Sequence, residues 1–188
     1  MRITEAVRSD LESFFEYIGV QLLENADDNS PLFQPISKKN CVVSEQFKDK
    51  FRNGFEASLG EHGWRKLWVI KDSKERVFGH IDLRHYGEEY KFHRVLLGMG
   101  VDSSLRKQGL GVELIKCVTE FCNESPSIDW LDLNVLSNNL PAKNLYLKCG
   151  FEVLGEMSDC YRIEGEFVYE TTITLCTNIT HSKRLLNE

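Results

Sequence analysis

The chain has 188 residues, of which 41% are hydrophobic and 28% charged. These values suit one globular domain and exclude intrinsic disorder, collagen and coiled coils. The net charge of −6 argues against broad binding to nucleic acids or to anionic membranes. No apolar run approaches the length of about 18 residues that a membrane span requires.

Residues 2–7 alternate weakly between apolar and polar side chains and predict a first strand. Ser9 and Glu12 have the spacing of a capping box and precede an apolar series at helical spacing, which predicts a helix of about four turns. Residues 25–40 hold two prolines and predict a long ordered loop of the kind that often serves as a lid or binding segment. A second helix is predicted from Ser44, with an apolar stripe of Phe47, Phe51, Phe55 and Leu59.

The pattern changes to that of strands from Lys66 onward. Strands are predicted at 67–71, 76–85 and 90–101, with turns between them. Helical spacing returns at Leu110 and continues to about Asn123.

The last part of the chain predicts a strand, a short helix and a closing pair of strands. The strand covers 130–136, and Asn139 with Pro141 opens a helix that Gly150 ends. The closing segments, 151–155 and 161–175, include a hairpin that turns near Glu164 and Gly165. This element order predicts one α/β domain over 1–188, with a mixed sheet and helices on both sides.

Six cysteines stand singly, mostly within apolar runs, which predicts free thiols in a reducing cytosol. The charged first residues lack the apolar core of a signal peptide. We therefore expect a soluble cytoplasmic protein. No His, Cys and Asp group has metal-ligand spacing, so no metal is expected.

The most informative segment is 101–112, where a buried strand passes through a tight turn into a helix. Gly109 and Gly111 leave the backbone open to a ligand, and the first turn of a helix attracts a pyrophosphate. Arg106 and Lys107 add positive charge. The dinucleotide fingerprint is excluded because Leu114 stands where its last glycine belongs, and a P-loop is absent. Taken alone, the two glycines are also compatible with an ordinary helix start.

The spacing Arg106-x-x-Gly109-x-Gly111 resembles the acetyl-coenzyme A signature of the GNAT N-acetyltransferase superfamily. The similarity continues downstream and covers residues 66–175, with matching residues at Asn139, Ala142, Tyr146, Gly150 and Phe151. It implies a mixed, mostly antiparallel central sheet and acetyl-coenzyme A as cosubstrate.

The resemblance also implies a cofactor site. The strand ending at Val101 should splay from the strand containing Asn134, and the pantetheine arm should enter the gap. Gly98 and Gly100 fit such an approach, although a packing bulge would also explain them. Asn139 would cap its helix, contact the cofactor arm, or do both. The implied cofactor-binding residues are Met99, Gly100, Val101, Arg106, Lys107, Gln108, Gly109, Leu110, Gly111, Val112, Asn139 and Ala142.

The resemblance implies that Tyr146 is the general acid, a role that suits a phenol because it is neutral at pH 7 and can protonate a departing thiolate. The alternative is a tyrosine packed in the core. The family's usual glutamate base corresponds to Val95, which cannot accept a proton. Other candidates for the base are His80, Asp82, His85, His93, Glu88 and Glu89. Cys149 lies near a helix end that disfavours a thiolate, so an acyl-cysteine is not expected.

The expected reaction is direct acetyl transfer to a primary amine in a ternary complex. Residues 1–60 and the closing hairpin should frame the acceptor, and 177–188 should form a tail. Acidic residues at Asp27, Asp28, Glu164 and Glu166 suit a cationic acceptor such as a polyamine, an aminoglycoside or a protein N-terminus. The alternative is an inactive coenzyme A-binding sensor or partner-binding protein. We expect a monomer or homodimer with neither nucleic acid nor membrane as a partner.

Overall fold

The computed structural model describes residues 1–25, 27 and 32–177. Its helices are α1 (Leu11–Asn25), α2 (Glu45–Gly54), α3 (Leu110–Glu124) and α4 (Leu140–Lys148). Its strands are β1 (Arg2–Glu5), β2 (Arg65–Lys71), β3 (Val77–His85), β4 (Arg94–Val101), β5 (Trp130–Leu136), β6 (Glu152–Ile163) and β7 (Glu166–Cys176). The predicted fold class and order of elements are confirmed.

One seven-stranded sheet has the order β1-β2-β3-β4-β5-β7-β6. Every neighbouring pair is antiparallel except β4 and β5, which are parallel. The connection between the parallel strands β4 and β5 contains the helix α3, as a parallel crossover requires.

Some predicted boundaries were wrong for local reasons. Residues 89–91 form a 3-10 turn, so β4 begins at Arg94 instead of residue 90. The helix α2 ends at Gly54, which leaves Leu59 outside it. The predicted segment 151–155 and the start of the predicted segment 161–175 belong to one strand, β6. This strand contains register irregularities against β7.

Capping explains where the first two helices begin. The predicted pair Ser9 and Glu12 does not form the box, because a 3-10 turn precedes α1 and Asp10 instead accepts a bond of 3.0 Å from the Val7 N–H. The prediction for α2 is confirmed, since Ser44 Oγ accepts a bond of 3.2 Å from the Phe47 N–H.

Two apolar clusters cover opposite faces of the sheet. The front face, under α1 and α2, carries a cluster that includes Phe14, Phe51 and Leu67. The back face, under α3 and α4, carries the larger cluster, which includes Ile81 and Leu131. Alternate residues of a strand therefore contact the helices on opposite faces of the sheet. This is the predicted arrangement of a mixed sheet with helices on both sides.

The closing hairpin turns where predicted. Glu164 and Gly165 both have positive φ, 54° and 92°, as a tight two-residue turn between antiparallel strands requires. Glu164 accepts a bond of 2.6 Å from the Ser37 hydroxyl, so the hairpin tip meets the described part of the 25–40 loop. Asp28 and residues 178–188 of the predicted tail lie outside the described residues.

Within 1–25, 27 and 32–177, no helix has the length and apolar character of a membrane span. The same ranges contain no group of His, Cys, Asp and Glu side chains able to hold a metal ion. None of the six cysteines, all of which are among the described residues, forms a disulfide.

Candidate active site

A wedge opens between the two central strands. β4 and β5 pair at only three positions, the last of which joins Leu96 to Asp132. Beyond it, β4 continues to pair with β3 as far as Val101, while β5 pairs with β7 as far as Leu136. The splayed edge of β4 is roughly 16 Å long at the usual rise per residue. On that side, the backbone groups other than the Val101 carbonyl, which accepts a bond from Arg106, are available to an extended ligand.

A buried polar cluster lies at the closed end of this wedge. Asp132 is 1% exposed and accepts two bonds from Arg94, of 2.7 Å to Nε and 2.6 Å to Nη2. Tyr86 and Thr174 also donate hydroxyl bonds to Asp132. Burial and the Asp132 charge raise the pKa of Tyr86 to about 12. The cluster therefore joins the residue after β3 to β4, β5 and β7 at the point where the central strands separate.

The open end of the wedge leads to the predicted phosphate turn. Asp102 Oδ1 accepts bonds from the N–H and hydroxyl of Ser104, which orders the chain directly after β4. Lys107 and Gly109 then adopt positive φ of 62° and 85°. Gly109 is the N-cap of α3 and contributes no side-chain cap. The first N–H groups of α3 therefore remain available to an anion.

Replacing Gly109 by alanine is expected to lower the free energy of unfolding by about 1 kcal/mol, because alanine is strained at positive φ. An added Cβ would meet no atom of a described residue within 4 Å, so the loss is conformational and not steric. Urea denaturation followed by circular dichroism measures it. The matched variant is Lys107→Gly, at the other position of positive φ in this turn. Its free energy of unfolding should hardly change, because the relief of backbone strain is offset by the greater entropy of glycine in the unfolded chain. A similar loss in both variants would contradict this account of the turn.

Several predicted phosphate-binding residues also hold the turn together. Arg106 donates a bond of 2.9 Å from Nε to the Val101 carbonyl, and its Nη2 pairs with Glu24 of α1. Gln108 Nε2 donates to the Ser104 carbonyl at 3.2 Å. Leu110 and Val112 belong to the first turn of α3.

The helix start at Gly111 is packed closely against α4. A Cβ there would lie 2.9 Å from Leu145 Cδ2 and 3.6 Å from Met99 Cε. Met99 and Val101 themselves pack against the back-face cluster. Gly111 therefore allows two helices to approach each other, in addition to any ligand contact.

The strand glycines of β4 face protein side chains. A Cβ on Gly98 would lie 2.6 Å from Asp82 Oδ2, and a Cβ on Gly100 would lie 2.3 Å from Gln21 Oε1. The packing explanation for these two glycines is thus sufficient by itself. Because both Cβ positions point to the front face, the splayed edge of the backbone stays free.

Tyr146 belongs to the back-face cluster. Its ring is 6% exposed and packs edge-on against Phe151, with ring centroids 5.6 Å apart. Burial raises the pKa of Tyr146 well above its ordinary value, so the phenol stays protonated at neutral pH. No described residue accepts a bond from its hydroxyl. The hydroxyl oxygen is not completely enclosed, because it is absent from the set of enclosed polar atoms without a partner.

The start of α4 places Tyr146. Asn139 Oδ1 accepts a bond of 3.3 Å from the Ala142 N–H, which confirms its role as a helix cap. Ala142 packs against the back-face cluster. Burial raises the pKa of the Cys149 thiol, so it is less able to form a thiolate.

The candidate bases are dispersed. Val95 is fully buried on the back face, and Leu96 and Gly98 point to the front face instead. A carboxylate at residue 95 could therefore not reach an acceptor on the front face. Glu88 and Glu89, at the β3–β4 turn, and His93 stand at the far end of β4, about 25 Å of strand away from the phosphate turn.

The remaining candidates lie on β3. His85 Nε2 accepts a bond of 3.0 Å from the Gly60 N–H and packs on Trp64. His80 is enclosed between Phe14 and Tyr17, and burial lowers its pKa to about 4. Asp82 lies opposite Gly98 and is ion-paired to two arginines, as described below.

Sequence reasoning missed a polar stripe on α1. Tyr17, Gln21 and Glu24 follow one another at helical spacing on an otherwise apolar face of α1. Gln21 lies over Gly100 of β4, Glu24 pairs with Arg106, and Tyr17 lies close enough to Arg106 to interact with its charge. Two neighbouring polar atoms there, the Tyr17 hydroxyl and His80 Nδ1, are enclosed and have no hydrogen-bond partner among the described residues. The signal was the set of polar residues at positions i, i+4 and i+7 on the buried face.

The Acetyltransferase (GNAT) family profile matches residues 30–151, more than half of the chain. The chain therefore belongs to this family, and the resemblance found in the sequence is confirmed.

A curated relative is the L-amino acid N-acetyltransferase AaaT of Escherichia coli K12, 29% identical over 92 residues. The match covers 49% of this chain and 57% of that protein, so it spans just over half of the relative's length.

Two solved structures share the fold. The smu.2055 protein of Streptococcus mutans has a TM-score of 0.75 at 22% identity, with 95% of this chain and 100% of that chain covered. The yncA protein of Salmonella typhimurium, solved with its cofactor acetyl-CoA, also has a TM-score of 0.75, at 16% identity, with 95% and 94% covered.

Proposed function

We propose that this protein transfers an acetyl group from acetyl-coenzyme A directly to a primary amine, within a ternary complex. The observation that carries the proposal is the wedge between β4 and β5, which leads into the uncapped N-terminus of α3. An extended arm with amide groups fits the splayed strand edge, and a pyrophosphate fits the helix start. Membership of the family supports the choice of cosubstrate.

The chain's own groups would hold acetyl-coenzyme A at both ends of its arm. Backbone atoms of Met99, Gly100 and Val101 line the splayed edge, and residues 107–112 present N–H groups to the pyrophosphate. Lys107 adds a positive charge there. Arg106 closes the turn through Val101 and Glu24, so its main role would be to hold the turn in shape.

The wedge would let two groups act from opposite faces of the sheet. Bound acetyl-coenzyme A supplies an activated thioester. The neutral amine would attack the acetyl carbonyl carbon from the front face, and the C–S bond would break. Tyr146, on the back-face side, would donate its phenolic proton to the departing sulfur, and the proton lost by the amine would pass through water and restore the phenol. The two front-face carboxylates beside the wedge, Asp82 and Asp132, are both tied to arginines, so the amine should bind in its neutral form. We therefore expect the rate to rise with pH toward the pKa of the acceptor.

The test uses the purified protein with acetyl-coenzyme A and a panel of primary amines. Amino acids come first, because the relative AaaT is named for them; a polyamine, an aminoglycoside and an N-terminal peptide follow. We expect saturable acetyl-coenzyme A binding by calorimetry and stoichiometric release of free thiol with acetylated amine. Binding without transfer to any amine would favour a coenzyme A sensor. Absence of binding would contradict both functions.

A further inference from the structure

The front face beside the wedge carries more arginine than carboxylate. Three arginines, Arg65, Arg84 and Arg94, accompany two aspartates, Asp82 and Asp132. Arg94 is satisfied by a bidentate pair with Asp132, which leaves no net charge there. The excess positive charge therefore belongs to the group formed by Arg65, Asp82 and Arg84, which we call the β3 triad.

Within the β3 triad, the two arginines have different environments. Arg65 is largely buried, stacks 4.2 Å above the Phe51 ring and donates a bond of 2.6 Å to Asp82 Oδ1. Arg84 shares the same oxygen at 3.3 Å, and its side chain is 34% exposed. Its other N–H donors have no partner in the described part of the chain. Arg84 is thus the arginine that can bind a further anion.

Arg84 also lies directly over the splayed strand. A Cβ on Gly98 would lie 3.1 Å from Arg84 Nη1, so the guanidinium rests on β4 where this strand has lost its β5 partner. Only a glycine at residue 98 leaves room for this arrangement. The free donors of Arg84 therefore stand beside the place where the acceptor amine would have to arrive.

We propose that Arg84 binds a carboxylate of the acceptor, and that the acceptors are consequently α-amino acids or similar amines with an adjacent acid group. This inference rests on the proposed acetyl transfer. In an α-amino acid the amine and the carboxyl carbon are two bonds apart. An amine directed into the wedge at Gly98 therefore places its carboxylate against Arg84, where charge-assisted and bidentate hydrogen bonds are available.

The same charges disfavour the cationic acceptors suggested by the acidic loop residues. A polyamine on this surface would meet the net positive charge of the β3 triad. Glu164, one of those loop residues, already accepts a bond from Ser37 at the hairpin tip. The front face thus selects an acceptor that carries an anion next to its amine.

The experiment compares amino acids with their decarboxylated amines, such as phenylalanine with phenethylamine and arginine with agmatine. For the wild type, we expect kcat/KM to be higher for the amino acid by about tenfold to a hundredfold. Arg84→Gln should raise KM for the amino acid by a similar factor, and leave the amine's KM and the acetyl-coenzyme A affinity unchanged. Arg84→Lys should restore part of the preference. Arg76→Gln, at the exposed β2–β3 turn, is the matched control.

Binding provides a readout that does not require turnover. Calorimetry with coenzyme A present should show weaker amino-acid binding to Arg84→Gln and unchanged binding to Arg76→Gln. Equal use of both acceptor types by the wild type, or equal losses for both in Arg84→Gln, would overturn the role of Arg84. Lack of transfer to every amine, with carboxylate binding retained, would instead refute the acetyl transfer alone.

Discussion

Replacing Tyr146 by phenylalanine is expected to lower kcat for acetyl transfer by about 10²- to 10⁴-fold, the usual contribution of a general acid. The hydroxyl is the only group removed, and the edge-on packing against Phe151 is kept. Acetyl-coenzyme A should bind as before, because the phenol has no partner among the described residues and would act only on the departing sulfur. Calorimetry and steady-state thiol release measure the two effects separately.

The pH profile gives an independent check on the role of Tyr146. Burial raises its pKa, so the proton stays on the oxygen across the neutral and moderately alkaline range. The wild-type rate should therefore show no loss from phenol ionisation below about pH 10. Tyr90→Phe, at an exposed position, is the control and should leave kcat unchanged. An unchanged kcat in Tyr146→Phe would assign the tyrosine to packing alone.

Local patterns in the sequence predicted the fold because the apolar residues of each element follow the spacing of a helix or of a strand. The apolar spacing from Leu110 to Phe121 suits one buried helix face, and the run at 130–136 suits a buried strand. Boundaries were less predictable. Tyr90 and Phe92 have high strand propensity, yet residues 89–91 form a 3-10 turn that returns the chain toward β4.

The candidate site was predictable where backbone geometry is local. Gly109 signals the positive φ at the start of α3, and Asn139 signals the cap of α4. Side-chain contacts between distant elements were not predictable in this way. Gln21 is far from Gly100 in the sequence, and their contact depends on how α1 crosses the sheet.

Strand register decides which groups the acceptor would meet. A shift of one residue moves a side chain to the other face of a sheet, so the direction of Val95 could not be inferred from its motif position. The β3 triad likewise depends on pairing, because Arg65 lies opposite Arg84 and Asp82 opposite Gly98. The sequence shows alternate polar residues along β3, and only the register shows that two arginines share one carboxylate.

Asp132→Leu is expected to lower the free energy of unfolding by about 3 kcal/mol, which urea denaturation measures. The substitution leaves the partly buried Arg94 guanidinium without its counter-ion and removes the acceptor for Tyr86 and Thr174. Because the cluster ties the sheet together where β4 and β5 separate, acetyl-coenzyme A binding should weaken as well. The two effects would connect the stability of the fold with the shape of the wedge.

A second variant separates charge from packing. Arg94→Met combined with Asp132→Leu removes both charges, so it should be at least as stable as Asp132→Leu alone, although one more residue is changed. Glu88→Ala breaks the exposed pair with Lys91 and should leave the free energy of unfolding nearly unchanged. If Asp132→Leu unfolded at the wild-type urea concentration, the cluster would not be what stabilises the closed end of the wedge. Equal losses in Asp132→Leu and Glu88→Ala would lead to the same conclusion.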